Sequence, residues 1–365
     1  MNRQNDEVWQ PPPRLLPFAG WALRLMAPVR FGSRMTDFLS AALRLAFLLV
    51  GLACGGCSSV NMPGRSWSGP LPPLTEEQTS VSDRIRAHVQ VLAGGIGEQH
   101  TGRPPSLQAA ADYISESLRA AGFAPQYQAY TAKQVTQVNI EVEICGTTHP
   151  DHILIVGAHY DTVPGSRGAD DNASGVAALL EMARLLSRGT FPCTVRWVFF
   201  FNEEGSSIGP NGSAIYARRC RERAENVIGM ISLEMLGFYS DAPNSQSYPF
   251  SLLKLFYPAT GDFILFLGNE SSRRLVRRTT GAFRKYARFP SRGAAVPDFV
   301  RDAGRSDHAS FWHEGYPGLM VTDTDGFRNP HYHRNSDTPE TLDYDRTARV
   351  AVGLARAVEL LASEK

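Results

Sequence analysis

From about residue 76 onward, apolar and polar positions fall into two alternating textures. Residues 138–145, 153–158, 194–201, 228–235, 263–267 and 318–322 are short apolar runs, several of them uninterrupted, as strands covered on both faces read. Between them, stretches 174–186, 212–223 and 271–286 read as helices, and a closing helix repeats Val350, Leu354, Val358 and Leu361. Two more helices precede the first strand. One runs to Leu92 and is broken by GGIGEQHTGRPP; the other takes Ser106 as N-cap, carries Leu107, Ala110, Ile114, Leu118 and Ala121 on one face, and stops at Gly122. This alternation predicts an α/β protein, a three-layer α/β/α sandwich around a mostly parallel, mixed central sheet. In such a sheet functional groups gather beyond the carboxyl ends of the strands.

The first part of the chain follows different rules. Residues 1–32 are rich in Pro and Arg and have no sustained period. From Met35, MTDFLSAALRLAFLLVGLACGGCSSV presents Arg44, an apolar run over 45–53, then small residues and cysteine, the layout of an export signal. The run is too short to span a bilayer. Cys57 has the better downstream residues and Cys54 the better upstream ones for the lipobox of bacterial lipoproteins, where the cysteine is acylated; a plainly cleaved secretory signal is the alternative. Either way the expectation is an exported protein of the bacterial cell envelope, a periplasm-facing or outer-membrane lipoprotein. Residues 1–57 would be the leader, 58–75 a linker and 76–365 a single domain. Translation from Met35 would put the signal at the extreme N terminus.

Composition adds bounds. With 43% hydrophobic and 20% charged residues in 365, a sizeable globular core is available. A balance of 37 basic and 36 acidic side chains, net +1, gives no ground for a nucleic-acid partner or for bulk attraction to anionic lipid. The arginine-rich stretch SSRRLVRRTTGAFRKYAR reads as a solvated helix face or, in a lipid-anchored chain, as a face resting on anionic headgroups. Beyond the leader only Cys145, Cys193 and Cys220 remain, enough for one disulfide but not for a disulfide scaffold or a thiolate zinc site.

The predicted strand ends carry the candidate chemistry. The run 153–158 delivers His159 and Asp161; their i, i+2 relation places both on one face, so Asp161 can reach the His159 ring and fix its tautomer. GADDNASG sets Asp170, Asp171 and Asn172 at the start of the next helix, where an aspartate otherwise serves as a cap. The run 194–201 leads into Asn202, Glu203 and Glu204, the following one into Glu234, and the last into a turn-rich loop holding His331 and His333. Singly, each reads as solvated polarity. Together they place acidic and imidazole groups at successive strand ends, on the face where an α/β sheet builds its site. Histidines and carboxylates without thiolates suit zinc, cobalt or manganese, and there are enough of them for two ions. Two ions roughly 3.5–4 Å apart share a bridging carboxylate and a water. Their charge is balanced by three ligand carboxylates and a hydroxide, which leaves one carboxylate to act as a base.

The segments GAHYDTVPGSRGADDNASG, FFFNEEG, ISLEMLGF and SDHASFWHEGYPGLMVTDTDGFRNPHYHRNSDTPETLD resemble, in order and spacing, the zinc exopeptidase family that contains aminopeptidases S and Y, glutamate carboxypeptidase II and glutaminyl cyclase. The likeness runs from about Ala87 to the C terminus. It implies that His159, Asp171 and Glu234 hold one zinc ion and Asp171, Glu204 and His333 a second, with Asp171 bridging. Asp161 would orient His159, and Glu203 would be the general base in hydrolysis of the bond after a free N-terminal residue of a peptide. The position of Glu234 is often Asp in the family. His333, not His331, matches the family ligand, because it stands four residues before Asp337 of an Asp-Thr pair; His331 then belongs to the rim. Asp307 and His308 match a segment that lines the family's substrate pocket, against the plain reading that they cap a helix. The loop 239–258 would form the pocket rim.

Three other readings compete. Gly205, Ser207 and Gly209 fit the Gly-x-Ser-x-Gly elbow of serine hydrolases, with Asp307 and His333 to complete a triad. Two glutamates separate the strand from Gly205, Pro210-Asn211-Gly212 follows, and His159, Asp171 and Glu234 would go unexplained. The fold also includes nonenzymatic binding ectodomains, which are expected to have lost metal ligands. Glutaminyl cyclases form a branch that works with one metal and lacks part of the first ligand set, so the presence of His159 argues for hydrolysis.

Overall fold

The computed structural model describes residues 60–132, 135–205 and 211–363. Chain order is α1 (Glu76–Val89), α2 (Pro104–Ala120), β1 (Gln126–Ala132), β2 (Val135–Ile144), β3 (His149–His159), α3 (Gly175–Leu186), β4 (Cys193–Phe200), α4 (Gly212–Glu222), β5 (Asn226–Glu234), β6 (Ile264–Asn269), α5 (Arg273–Tyr286), β7 (Ser291–Val296), α6 (His308–His313), β8 (Gly318–Thr322) and α7 (Tyr344–Ser363). All strands join one sheet in the order β1-β2-β4-β3-β5-β8-β6-β7. Its centre, β4-β3-β5-β8, is parallel; β2 joins β4, and β6 joins β8, antiparallel. The expected sandwich is present. Helices α1, α3 and α5 each pack against α7 on one face, while α4 and α6 lie together on the other.

The uninterrupted apolar runs have their cause in this layering. Along β4 and just beyond it, Trp197, Phe199 and Phe201 enter the core under α3 and α7, whereas Val198 and Phe200 point to the opposite layer with Tyr216 and Phe311. A strand buried on both faces has no polar side to alternate. The N-terminal boundary of α1 is a capping box between Thr75 and Gln78. Helix α2 starts before the expected cap Ser106, at Pro104, with no side-chain cap from Arg103. Proline serves there because the first helical N–H groups lack partners in any case.

Strands β1 and β7 were not expected from the pattern. Residues 60–75, read as a linker, lie against the domain: Met62 is buried in the main core, close over Gly293. Cys145, Cys193 and Cys220 form no disulfide with one another. Cys54, Cys57, Ser207 and Gly209, and with them the export signal and all of the serine-hydrolase elbow beyond Gly205, lie outside the described residues. Among the described residues no helix is long and apolar enough to cross a membrane.

Candidate metal centre

Parallel register brings the carboxyl ends of β4, β3, β5 and β8 side by side, with His159 opposite Phe200 and Glu234 opposite Thr322. His159 ends β3, Glu234 ends β5, and Glu203 and Glu204 follow β4 after Asn202, whose φ of 67° turns the chain. Asp171 comes from the tight turn before α3, and His333 from the loop after β8. His159 Nε2 lies 3.4 Å from Asp171 Oδ1 and 3.3 Å from Glu234 Oε1. His333 Nε2 lies 3.1 Å from Asp171 Oδ2 and 2.9 Å from Glu204 Oε1. Two trios result, His159-Asp171-Glu234 and Asp171-Glu204-His333, each with its donor atoms within 4.8 Å of one another. Asp171 belongs to both and offers one oxygen to each.

Other groups hold these side chains in place. Asp337 accepts the backbone N–H groups of Asp170 and Asp171 at 2.9 and 3.1 Å, fixing the turn. Asn172 donates to the Leu233 carbonyl and accepts from the Met235 N–H, which ties the same turn to the end of β5; the peptide bond before Asn172 is cis. Ser306 donates to Glu234 Oε2 at 2.7 Å and pairs with Ser232 at 2.8 Å. The Asp161 carboxylate accepts the N–H groups of Glu203 and Glu204 at 3.0 and 3.1 Å. Its Oδ1 is 3.6 Å from His159 Nδ1, which bonds instead to the Asp161 main-chain carbonyl at 3.2 Å. The residue expected to orient His159 therefore does so with its backbone, while its carboxylate clamps the peptide that carries Glu203 and Glu204. His331 turns away, bonding Ser336 at 2.9 Å beside the Phe238 ring, whereas His333, at φ 56°, stacks on Tyr332.

Electrostatics at the site are dominated by packed carboxylates. Burial, with the charges of Glu234, Glu204 and Asp307, pushes the Glu203 carboxyl well above its ordinary range against the pull of His159. Burial and the Asp171 charge raise Glu204 to about 8. Burial disfavours charge on His333, but its bonds to Asp171 and Glu204 prevail and lift it to about 10. His159 is likewise raised, Glu234 and the two aspartates overcoming its burial. Asp171 alone is lowered, because two imidazoles outweigh its desolvation. A buried, shared aspartate whose Oδ1 has no hydrogen-bond partner, between imidazoles and surplus carboxylates, fits divalent cations held by nitrogen and oxygen donors.

Beside the trios lies an apolar cavity of about 130 Å³, lined by Phe263, Leu265, Leu267, Ala294 and Met320, with Asp325 also in its wall. Asp325 is raised to about 7 by burial, with Arg305 opposing and Glu234 and Asp171 adding to the shift. The loop expected at the rim supplies Gln246, Tyr248 and Tyr257 to the cavity wall. Asp307 and His308 do not line this cavity. His308 is fully buried, bonds the Ala303 carbonyl at 2.7 Å and is held neutral, its pKa lowered to about 4 by burial. Asp307 does not cap α6; its carboxylate is buried without a hydrogen-bond partner near the charges of His159, Glu234 and Asp161, and burial raises it to about 7. Sequence reasoning missed Ser306 and the clamping role of Asp161, and used Asp337 only as a spacing marker.

A model of peptidase family M28 matches residues 139–358, more than half of the chain and every residue of both trios. This chain belongs to peptidase family M28. The expectation of a metal-dependent aminopeptidase is thereby met at the level of class, with zinc as the metal of that class. The M28 chain is 31% identical over 298 residues to YfbL of Escherichia coli K12, described as uncharacterized, covering 79% of this chain and 90% of that one. It is 26% identical over 260 residues to a probable leucine aminopeptidase of Arthroderma otae, covering 66% of this chain and 62% of that one. In fold it is similar to the zinc aminopeptidase BSAP of Bacillus subtilis, with a TM-score of 0.62 at 14% identity, covering 78% and 95% of the two chains.

Proposed function

We propose that the chain is an exported two-zinc aminopeptidase that hydrolyses the bond after a free N-terminal residue. The observation that carries this reading is the pair of trios sharing Asp171, with Glu203 held beside them by Asp161. His159, Asp171 and Glu234 would hold one ion, and Asp171, Glu204 and His333 the other. Bound zinc supplies Lewis acidity, polarising a carbonyl and lowering the pKa of water toward neutrality. The chain's own residues do the rest. Glu203, whose carboxyl lies buried among His159, Glu234 and Glu204, takes the proton of the attacking water and passes it to the leaving amine. Asp161 keeps that carboxyl in register by gripping its peptide. The neighbouring cavity takes the N-terminal side chain, and its Phe, Leu and Met lining favours large apolar residues.

The deciding experiment is Glu203→Gln. The variant keeps its zinc content by elemental analysis and loses turnover of a leucine anilide by roughly 10²–10⁴-fold, the span of general acid–base catalysis; wild-type turnover would sink the base assignment. Cys57, or Cys54, completes the proposal as the lipid-modified residue of an envelope protein, supported by the signal pattern before it. Labelled palmitate incorporated into the wild-type chain and lost in one cysteine-to-alanine variant tests that part separately.

A further inference from the structure

The net charge of +1 conceals a local concentration of one sign. Arg273, Arg274, Arg277 and Arg278, all in the first half of α5, surround Pro63 and line a depression of about 340 Å³. Arg273 and Arg274 are exposed. Topology fixes where this cluster lies. Strand β6 runs antiparallel to β8, so Leu265 stands opposite Thr322 at the catalytic edge while Gly268 stands opposite Leu319, further from it. The helix therefore begins at the edge of the sheet away from the trios, where Ser272 accepts the N–H of Gly318 at the start of β8. The charged depression and the candidate metal centre occupy opposite ends of the strands.

The N-terminal strap runs along the same helix, and its Pro63 borders the depression. Arg277 donates to the Asn61 carbonyl, and Arg284 to the carbonyls of Met62, Pro63 and Gly64 at 3.0, 3.2 and 3.1 Å. We propose that this arginine face docks on the anionic phospholipid surface of a bilayer, which leaves the catalytic edge turned toward water and peptide substrates. Guanidinium groups suit phosphodiester headgroups because the planar fork donates two parallel hydrogen bonds and is weakly hydrated. The inference rests on the envelope location proposed above, but not on acylation.

The test uses the full chain with Cys54→Ala and Cys57→Ala, so that no lipid anchor contributes, and measures co-sedimentation with vesicles of phosphatidylcholine alone or mixed with phosphatidylglycerol. Binding is expected only to the mixed vesicles and is expected to fall as salt rises. Each headgroup-facing arginine contributes roughly fivefold, so Arg273→Glu with Arg274→Glu lowers the bound fraction's partition constant on the order of twentyfold or more, with anilide hydrolysis unchanged. Equal binding to neutral vesicles, insensitivity to salt, or full binding by the active charge-reversed chain would overturn the proposal. Should the reversed chain fail to fold, Arg273→Gln with Arg274→Gln and the salt series on the parent decide it. Identical behaviour of wild-type and cysteine-free chains would refute the anchor and leave this docking face standing.

Discussion

The replacement Asp161→Asn separates two roles that the sequence joined. Asp161 is 2% exposed and accepts two backbone donors, the N–H groups of Glu203 and Glu204. A hydrogen bond to a charged acceptor is worth about 1.5–3 kcal/mol, and an unpaired buried donor costs about 1–3 kcal/mol. Asparagine keeps one acceptor oxygen, now neutral, and turns an NH₂ group against the other N–H. The expected loss of stability is therefore about 2–4 kcal/mol, or roughly 4–8 °C in Tm at about 2 °C per kcal/mol for a chain of this size. Because Glu203 rides on that peptide, a displacement of order 1 Å should lower kcat about a hundredfold. His159 keeps its bond to the residue-161 carbonyl, which the substitution does not remove. Zinc occupancy should consequently fall much less than kcat. Thermal melts, zinc analysis and leucine-anilide kinetics on one preparation read all three. A variant that loses zinc first and keeps kcat per bound metal would refute the clamp and restore the side chain as the orienter of His159.

Zinc binding should be proton-linked. With His333 raised to about 10 and Glu204 to about 8 in the metal-free protein, both carry protons at neutral pH. Zinc must displace those protons, so affinity rises with pH until these groups are deprotonated, and calorimetry in buffers of different ionisation enthalpy reports the release; buffer-independent heats would contradict it. Ser306→Ala removes the 2.7 Å bond to Glu234 and should weaken zinc retention against a chelator by about tenfold, the lower end for a group that orients a ligand; an unchanged chelator midpoint would leave that bond without function. Ala294→Phe fills the apolar cavity and should cut kcat/KM for leucine and phenylalanine anilides by at least about tenfold while sparing alanine anilide; equal losses on all three would place the side-chain pocket elsewhere.

How much of this was legible in the chain depends on where the information lies. The run 318–322 is β8 to the residue, and the other central strands were found within a few positions, because burial on both faces leaves an apolar block that needs no partner to be recognised. Strand β1 is an edge strand with the sequence QYQAYTA, and β7 reads SRGAAV; neither has such a block, and both are strands because β2 and β6 offer them a ladder. Helix α6 spans six residues, too few to display a helical period. The site follows the same division. His159, Glu203, Glu204 and Glu234 stand out because a charge that ends an apolar strand is visible locally. The acceptor role of the Asp161 carboxylate depends on two N–H groups more than forty residues away, and that of Ser306 on a carboxylate seventy-two residues away. A motif thus reveals which side chains meet at the sheet edge, whereas the backbone donors and hydroxyls that aim them become visible only once the strand order is known. The same holds for charge: a chain-wide sum near neutrality is silent about the four arginines in the first half of α5, and only the reversed direction of β6 sets them at the far end of the strands from the carboxylates.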